Sequence, residues 1–330
     1  MQLPAEAGFL RSLRLAPRNP CGTAATRVGF GLLCGALAFL AGCKRESSEA
    51  TPAASASRAL PAPVASGVPI APELVSHSVN PKGEPVYSGP AGTVRGVVTI
   101  SGDAPPEEAE VLAKIGDDCA PAREVYGRLF REGAGRTVAD VLVAVTGYKG
   151  YVPEQHSIVT LPASGCAWST RTVAMTFGQR LDIVAKDRKA YVPDLVGAKM
   201  PAQLIALPGG SGSTVYAQQP GRYALVDSLR IYSVADVLVL KYATHDVTGL
   251  DGKFQIERIP AGRVTVSALL PATGETSEQA VEIEASRTVD LKIVLPFDLA
   301  KYKARTAKPQ PSAAPSASTR PAPAPSARPH

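Results

Sequence analysis

The residues of this 330-residue chain best suited to redox, metal or acid–base chemistry are five cysteines and four histidines. Two cysteines, Cys119 and Cys166, lie outside the N-terminal 43 residues. A pair of thiols in an oxidising compartment is most simply a disulfide, and no Cys-x-x-Cys spacing suggests a redox pair. The histidines stand at 77, 156, 245 and 330. His77 and His330 fall in segments without periodicity, and His156 follows "YVPEQ" in an expected loop. The stretch "HDVTGLD" brings His245, Asp246 and Asp251 to one turn, a cation site short of oxygen ligands. "LPGGSGSTVY" (207–216) lacks the Lys and the helix of a phosphate loop and reads as a loop. No Gly-x-Ser-x-Gly elbow is present. Tyr148 and Tyr151 in "GYKGY" could stack on a ligand. An enzyme using His156 or His245 would need convergent polar groups around one of them. No catalytic residue and no cofactor is therefore assigned.

The N-terminus directs the chain elsewhere than the cytoplasm. Residues 1–27 carry four Arg and one acid, Glu6, and Val28–Leu40 is uncharged. A basic stretch, a short apolar run and small residues describe a secretory signal. As a helix the apolar run would reach only about 20 Å, against a hydrocarbon core of about 30 Å. Leu40-Ala41-Gly42-Cys43 resembles a bacterial lipobox. That resemblance implies a signal over 1–42, lipid on Cys43 and anchoring to a membrane. Lys44, where the inner-membrane retention signal is Asp, leans toward the outer membrane. The expected location is the periplasmic face of the cell envelope.

A pI of 9.1 invites a nucleic-acid reading. Of 35 Lys+Arg and 29 Asp+Glu, four and one precede Cys43 and five and none follow Tyr302, which leaves 26 against 28 between. The central region is nearly neutral, so the footprint of a nucleic-acid binder is missing. Residues 43–91, rich in Ala, Pro and Ser, read as a disordered tether, and 299–330 as a disordered Pro/Ala-rich tail.

The centre reads as strands. "TVRGVVTI" (93–100), "VADVLVAV" (138–145), "QRLDIVAKD", "GRYALV", "VLVLKY", "KFQIERI", "RVTVSAL", "AVEIEA" and "TVDLKIVL" alternate or run apolar at short spacing. Period-2 runs punctuated by Gly, Pro and Asp indicate an all-β, antiparallel sandwich or barrel. "PPEEAEVLAKI" (105–115) is expected as an edge strand or a single turn. "DGKFQI" carries hairpin chemistry, and "IPAG" (259–262) is a second turn.

"VTGLDGKFQIERIPAGRVTVSALL" resembles the carboxypeptidase regulatory-like, or transthyretin-like, module through Thr248, Asp251, Gly252, Phe254, Ile256, Pro260 and Gly262. Gly249 stands in place of an acid and Val264 in place of an aromatic. "GTVRGVVTISGDAPP", "ADVLVAV", "GCAWSTRTVAMTFGQRLDIVAKD" and "PGRYAL" are similar to a plastocyanin-like, methylamine-utilisation-like cupredoxin family fused to that module. The resemblance implies a cupredoxin-like Greek-key sandwich over 92–243 and a regulatory-like module over 244–298. The strand at 93–100 could instead belong to the second module, with the cupredoxin inserted. Trp168 falls where the family has an aromatic and is expected in the core against the disulfide, a sugar platform being the alternative.

A type-1 copper site needs two imidazoles, a thiolate and a weak thioether. Counted without gaps on the resemblance, those four places fall on Tyr191, Asp227, Arg230 and Ser233. A guanidinium has no lone pair for a metal and stays charged. The resemblance thus implies a scaffold without copper, with no metal and no cofactor. Either Asp227 and Arg230 pair while Tyr191 fills the vacated space, or the three are unrelated surface residues. The function these readings favour is non-catalytic binding or scaffolding of an envelope protein or glycan. The rivals are a copper or electron-transfer protein and an envelope enzyme using His156 or His245.

Overall fold

Alternating runs become strands here because every second side chain reaches a core. In Lys253–Pro260, Phe254 and Ile256 are buried while Lys253, Gln255 and Glu257 face water. A computed structural model of the protein describes residues 65–66, 69–198 and 203–307. The signal, the lipobox with Cys43, and His330 lie outside the described residues.

In chain order the strands are β1 (Ala65–Ser66), β2 (Ala91–Gly102), β3 (Leu142–Thr146), β4 (Ile158–Ser164), β5 (Ala167–Trp168), β6 (Thr172–Thr176), β7 (Arg180–Ala185) and β8 (Pro193–Val196). They continue as β9 (Ser213–Val215), β10 (Gly221–Asp227), β11 (Arg230–Leu240), β12 (His245–Val247), β13 (Lys253–Pro260), β14 (Gly262–Leu270), β15 (Glu275–Ile283) and β16 (Thr288–Phe297). Four short helices join them: α1 (Pro72–Val79), α2 (Ala109–Leu112), α3 (Pro121–Tyr126) and α4 (Leu299–Thr306). Sheets β1-β9-β7-β4-β5 and β6-β11-β10-β8 enclose one core, which includes Leu161, Ile183, Met175 and Val237. Sheets β12-β3-β14-β15 and β13-β2-β16 enclose a second, which includes Val98, Val143, Val266 and Ile293. The chain is an all-β protein of two sandwiches.

Neither the boundary at 243/244 nor the assignment of 92–243 to one sandwich holds for these strands. β2 lies between β13 and β16, and β3 between β12 and β14. Strands β4–β11 of the first sandwich are therefore inserted into the second, between β3 and β12, and β1 joins them from ahead of β2. "VADVLVAV" is apolar throughout because β3 is buried on both faces. Val143 and Val145 face the second core, and Leu142 joins Leu238 and Leu240 at the seam with the first.

Three of the four sheets are mixed rather than antiparallel, since β4 runs parallel to β7, β6 to β11, and β2 to β16, while β12-β3-β14-β15 is antiparallel throughout. Period-2 alternation reports a half-buried strand and carries no information on its partner's direction. The turn at "DGKFQI" uses Gly252 at φ +68°, where a Cβ would run into the Val98 carbonyl. It does not make a hairpin, because β12 pairs with β3 and β13 with β2. The "IPAG" turn likewise carries the chain from one sheet to the other.

Three segments are more ordered than expected. Within the expected tether, α1 docks Val75 and Val79 on the first core and carries His77 on its exposed face. Within the expected tail, α4 is capped by Asp298, which accepts from Lys301 N, and packs Leu299 and Tyr302 on the second core. Ser213–Val215, within the expected loop 207–216, forms β9 beside β7. The segment 105–115, expected as an edge strand or a single turn, holds a single helical turn, α2.

Candidate functional site

The β10–β11 turn brings three of the four singled-out positions together. Asp227 ends β10, Arg230 opens β11, and the two are register partners. The Asp227 carboxylate is buried at 0 % exposure. Its Oδ1 accepts from Val192 N at 3.0 Å and Leu229 N at 3.1 Å. Its Oδ2 accepts from Arg230 Nη1 at 2.7 Å. The same nitrogen donates to Ala190 O at 3.1 Å, and Arg230 Cζ lies 5.0 Å from the centre of the Tyr191 ring. The pair is therefore an anchored, desolvated ion pair rather than two surface charges.

Tyr191 extends the network inward. Its hydroxyl donates to Asp187 Oδ2 at 2.9 Å and accepts from Cys166 N at 3.1 Å. Asp187 also takes Gly165 N at 2.7 Å and Lys189 N at 3.0 Å. Gly165 and Cys166 form the β4–β5 turn, both at positive φ, as a two-residue primed hairpin turn requires. Cys166 is bonded to Cys119. Burial pushes the Tyr191 phenol above its ordinary range, and the Asp187 carboxylate beside it adds to the effect. Burial also raises Asp187, but the backbone donors of Lys189 and Gly165 outweigh it and leave the carboxyl below its usual value. Tyr191 is thus a permanent donor and Asp187 a permanent acceptor.

Ser233 belongs to a different knot. Its hydroxyl lies 3.0 Å from the Tyr126 hydroxyl, and its carbonyl accepts from Trp168 Nε1 at 3.2 Å. Burial pushes Tyr126 up to about 12. Trp168 is fully buried, with its ring 5.8 Å from that of Tyr191. It is a core residue, as expected, and has no open face for a sugar.

A second buried ion pair was not singled out from the sequence. Asp140, at φ +66°, takes Arg131 in a two-pronged bond of 2.6 and 2.7 Å. Its Oδ1 also accepts from Thr170 Oγ1 and Arg171 N, and its carbonyl from Thr172 Oγ1. Asp140 precedes β3 and Thr172 opens β6, so this knot ties the two sandwiches. Arg222 adds a tie, from Asp236 in the first sandwich to Pro271 O beside the second. An aspartate at positive φ was the available signal, but nothing in the local pattern marks one.

Two of the histidines, His156 and His245, lie at one cavity of about 280 Å³. His156 lines it, as do Glu154, Thr176 and Lys241. His245 stands behind the wall, with Nε2 3.2 Å from Thr176 Oγ1, which donates to Glu154 Oε2 at 2.8 Å. Burial lowers His245 to about 4 although Glu154 opposes the shift, so the imidazole is neutral near pH 7. Asp246 accepts instead from Gln255 N and Val247 N, and Asp251 pairs with Lys253, so the expected cation turn does not converge. Tyr148 bonds Thr244 and packs on the second core, while Tyr151 lines the cavity. Among the described residues, Asp118, Cys119 and Cys166 form the one group of three or more His, Cys, Asp or Glu residues close enough to share an ion, and its two sulfurs are bonded to each other. No helix among the described residues is long and apolar enough to cross a membrane.

No protein-family model matches the chain, and no curated protein is significantly similar to it. Solved structures similar to part of it include an amicyanin from Paracoccus versutus, at 15 % identity, 30 % of this chain, 97 % of that one and a TM-score of 0.23. A copper-containing nitrite reductase from Thermus scotoductus matches at 17 % identity, 29 % of this chain, 24 % of that one and a TM-score of 0.22.

Proposed function

We propose that this is a non-catalytic envelope lipoprotein, tethered through Cys43, whose inserted sandwich is a cupredoxin-like module converted from holding copper to binding a partner. The carrying observation is the Asp227–Arg230 pair lying against Tyr191. The four positions offer a phenol, a carboxylate, a guanidinium and a hydroxyl, which do not fit a site needing imidazole, thiolate and thioether. Both Asp227 oxygens are already engaged, and a cation sits where a metal would need an acceptor. A preformed ion pair needs no reorganisation when a partner arrives, which suits recognition.

The rim favours a protein over a glycan. Leu229 and Ile231, which flank Arg230, are 60 % and 67 % exposed. Ile205 and Leu207 are also exposed and flank Ala206, the strand partner of Tyr191. Aliphatic side chains suit a protein surface, whereas sugar platforms are built from aromatic faces, and Trp168 is unavailable. The test is metal analysis and visible spectroscopy of the full chain after reconstitution with copper, followed by capture from envelope extract. Stoichiometric copper with blue absorption would sink the proposal. A partner retained by the native protein and lost by Ile231→Asp would support it.

A further inference from the structure

A cavity at the opposite end of β11 carries an inference independent of that proposal. β11 runs ten residue steps from Arg230 to Leu240, about 33 Å at 3.3 Å per residue, so the cavity is remote from the Asp227–Arg230 pair. We propose that this cavity is a binding site for a small organic carboxylate carried on a ring-sized body.

The shape argument comes first. At about 280 Å³ the space equals roughly nine water volumes, enough for one six-membered ring with its substituents. Val75 and Val79 of α1 and Phe177 give it an apolar side, and Tyr151 and Tyr242 add ring faces. Helix α1 can lie this close because residue 178 is a glycine: a Cβ there would run into the Val75 side chain.

Charge selects the ligand. The Glu154 carboxylate takes Gln155 N, His156 N and the Thr176 hydroxyl, so its oxygens are held within the wall. Gln179 is also engaged at both ends, with Thr176 N and with His156 O. The lining groups for which the described residues supply no partner include the Lys241 ammonium, the His156 imidazole and the Ser157 hydroxyl. All three can donate a hydrogen bond, and Lys241 brings a cationic side chain. A carboxylate on an otherwise neutral ring matches an open set of donors beside an apolar wall.

The wall is also held at a conformational cost. Arg258 sits at φ +58°, in the irregularity of β13 between Ile256 and Ile259. From there its Nη2 donates to Pro153 O at 3.0 Å, and the Gln155 amide faces the same guanidinium. A non-glycine residue in the left-handed region is strained, and such strain gathers where a site must be preformed. Here it pins the 151–157 segment, one side of the cavity, to the second sandwich.

Calorimetric titration of the full chain with glucuronate, with cyclohexanecarboxylate and with neutral glucose tests this. Saturable binding of at least one of the two carboxylates, with glucose weaker by about tenfold or more, is expected. The two carboxylates distinguish an acidic sugar from an alicyclic acid. Lys241→Met, at an exposed position, should weaken the carboxylate about tenfold. Absence of saturable heat with both carboxylates at millimolar concentration, glucose binding as well as glucuronate, or an unaffected Lys241→Met would each overturn the proposal. Because the copper and capture experiments address the other end of β11, either conclusion can fail alone.

Discussion

Two buried carboxylate–guanidinium pairs invite comparison. Asp227–Arg230 is local, three residues apart on one turn, and its other bonds go to backbone of that turn, at Leu229, and of the segment leading into β8, at Ala190 and Val192. Asp140–Arg131 is part of a knot that reaches from β3 to β6, across the seam of the two sandwiches. The chemistry is the same and the consequences differ. A desolvated ion pair roughly offsets its own burial, so its presence says little about net stability. What matters is what else the carboxylate holds. Asp227 holds one rim in shape, whereas Asp140 holds two domains in register.

The largest effect should come from Asp140→Ala. It strands the half-buried Arg131, frees Thr170 and Arg171 N, and should cost about 4–5 kcal/mol in chemical denaturation. A loss below 1 kcal/mol would break the comparison, because the seam would then not depend on this knot. Cys119→Ala with Cys166→Ala opens a loop with a sequence separation of 47, for about 4 kcal/mol on the chain-entropy model. That change should also loosen Tyr191, seen as altered fluorescence of Trp168, the single tryptophan.

Asp227→Ala should cost somewhat less, about 3 kcal/mol, because the Arg230 side chain reaches solvent more easily once released. Acid sharpens the contrast further, through a group found at the seam and not at the rim. His245 is held at about 4 in the fold against 6.5 in the unfolded chain, so the unfolded state binds the proton first. Its contribution is complete above pH 6.5 and is lost as pH falls toward 4, on the order of 2–3 kcal/mol. His245→Gln, which keeps a donor for Thr176, should flatten that part of the stability–pH curve. An unchanged curve would show that His245 titrates freely in the fold. The smallest effect is expected for Asp227→Asn with Arg230→Met. The amide oxygen still accepts from Val192 N and Leu229 N and the cation is gone, so stability should stay within about 1 kcal/mol of the native protein.

Much of the strand inventory was legible, because burial on one face imposes a period of two wherever the partner lies. β2, β3, β7, β10, β13, β14, β15 and β16 all coincide with alternating or apolar runs. β8, β9 and β5 are too short to establish a period and were not read as strands. The sandwich to which β2 and β3 belong was not decided by their own residues. Val94 and Val143 would suit either core, and their hydrogen-bond partners lie more than a hundred residues downstream. The segments around α1 and α4 looked like tether and tail because a one-sided helix of eight residues has too few positions to reveal its buried face.

The site divides along the same line. Asp227 and Arg230 could be read as partners because a short turn forces residues three apart to meet. Arg131 and Asp140 could not, since they meet across nine residues with Asp140 at an unusual backbone angle, and the rest of the knot comes from the other sandwich. Local chemistry thus determined which segments alternate, where glycine must turn the chain and that opposite charges face each other at the β10–β11 turn. Only the tertiary structure decided which strands pair, which polar groups are buried, and that the 151–157 segment closes over a cavity with α1. Those outcomes depend on surfaces from distant parts of the chain excluding water together, and no window along the sequence contains both sides of such a contact.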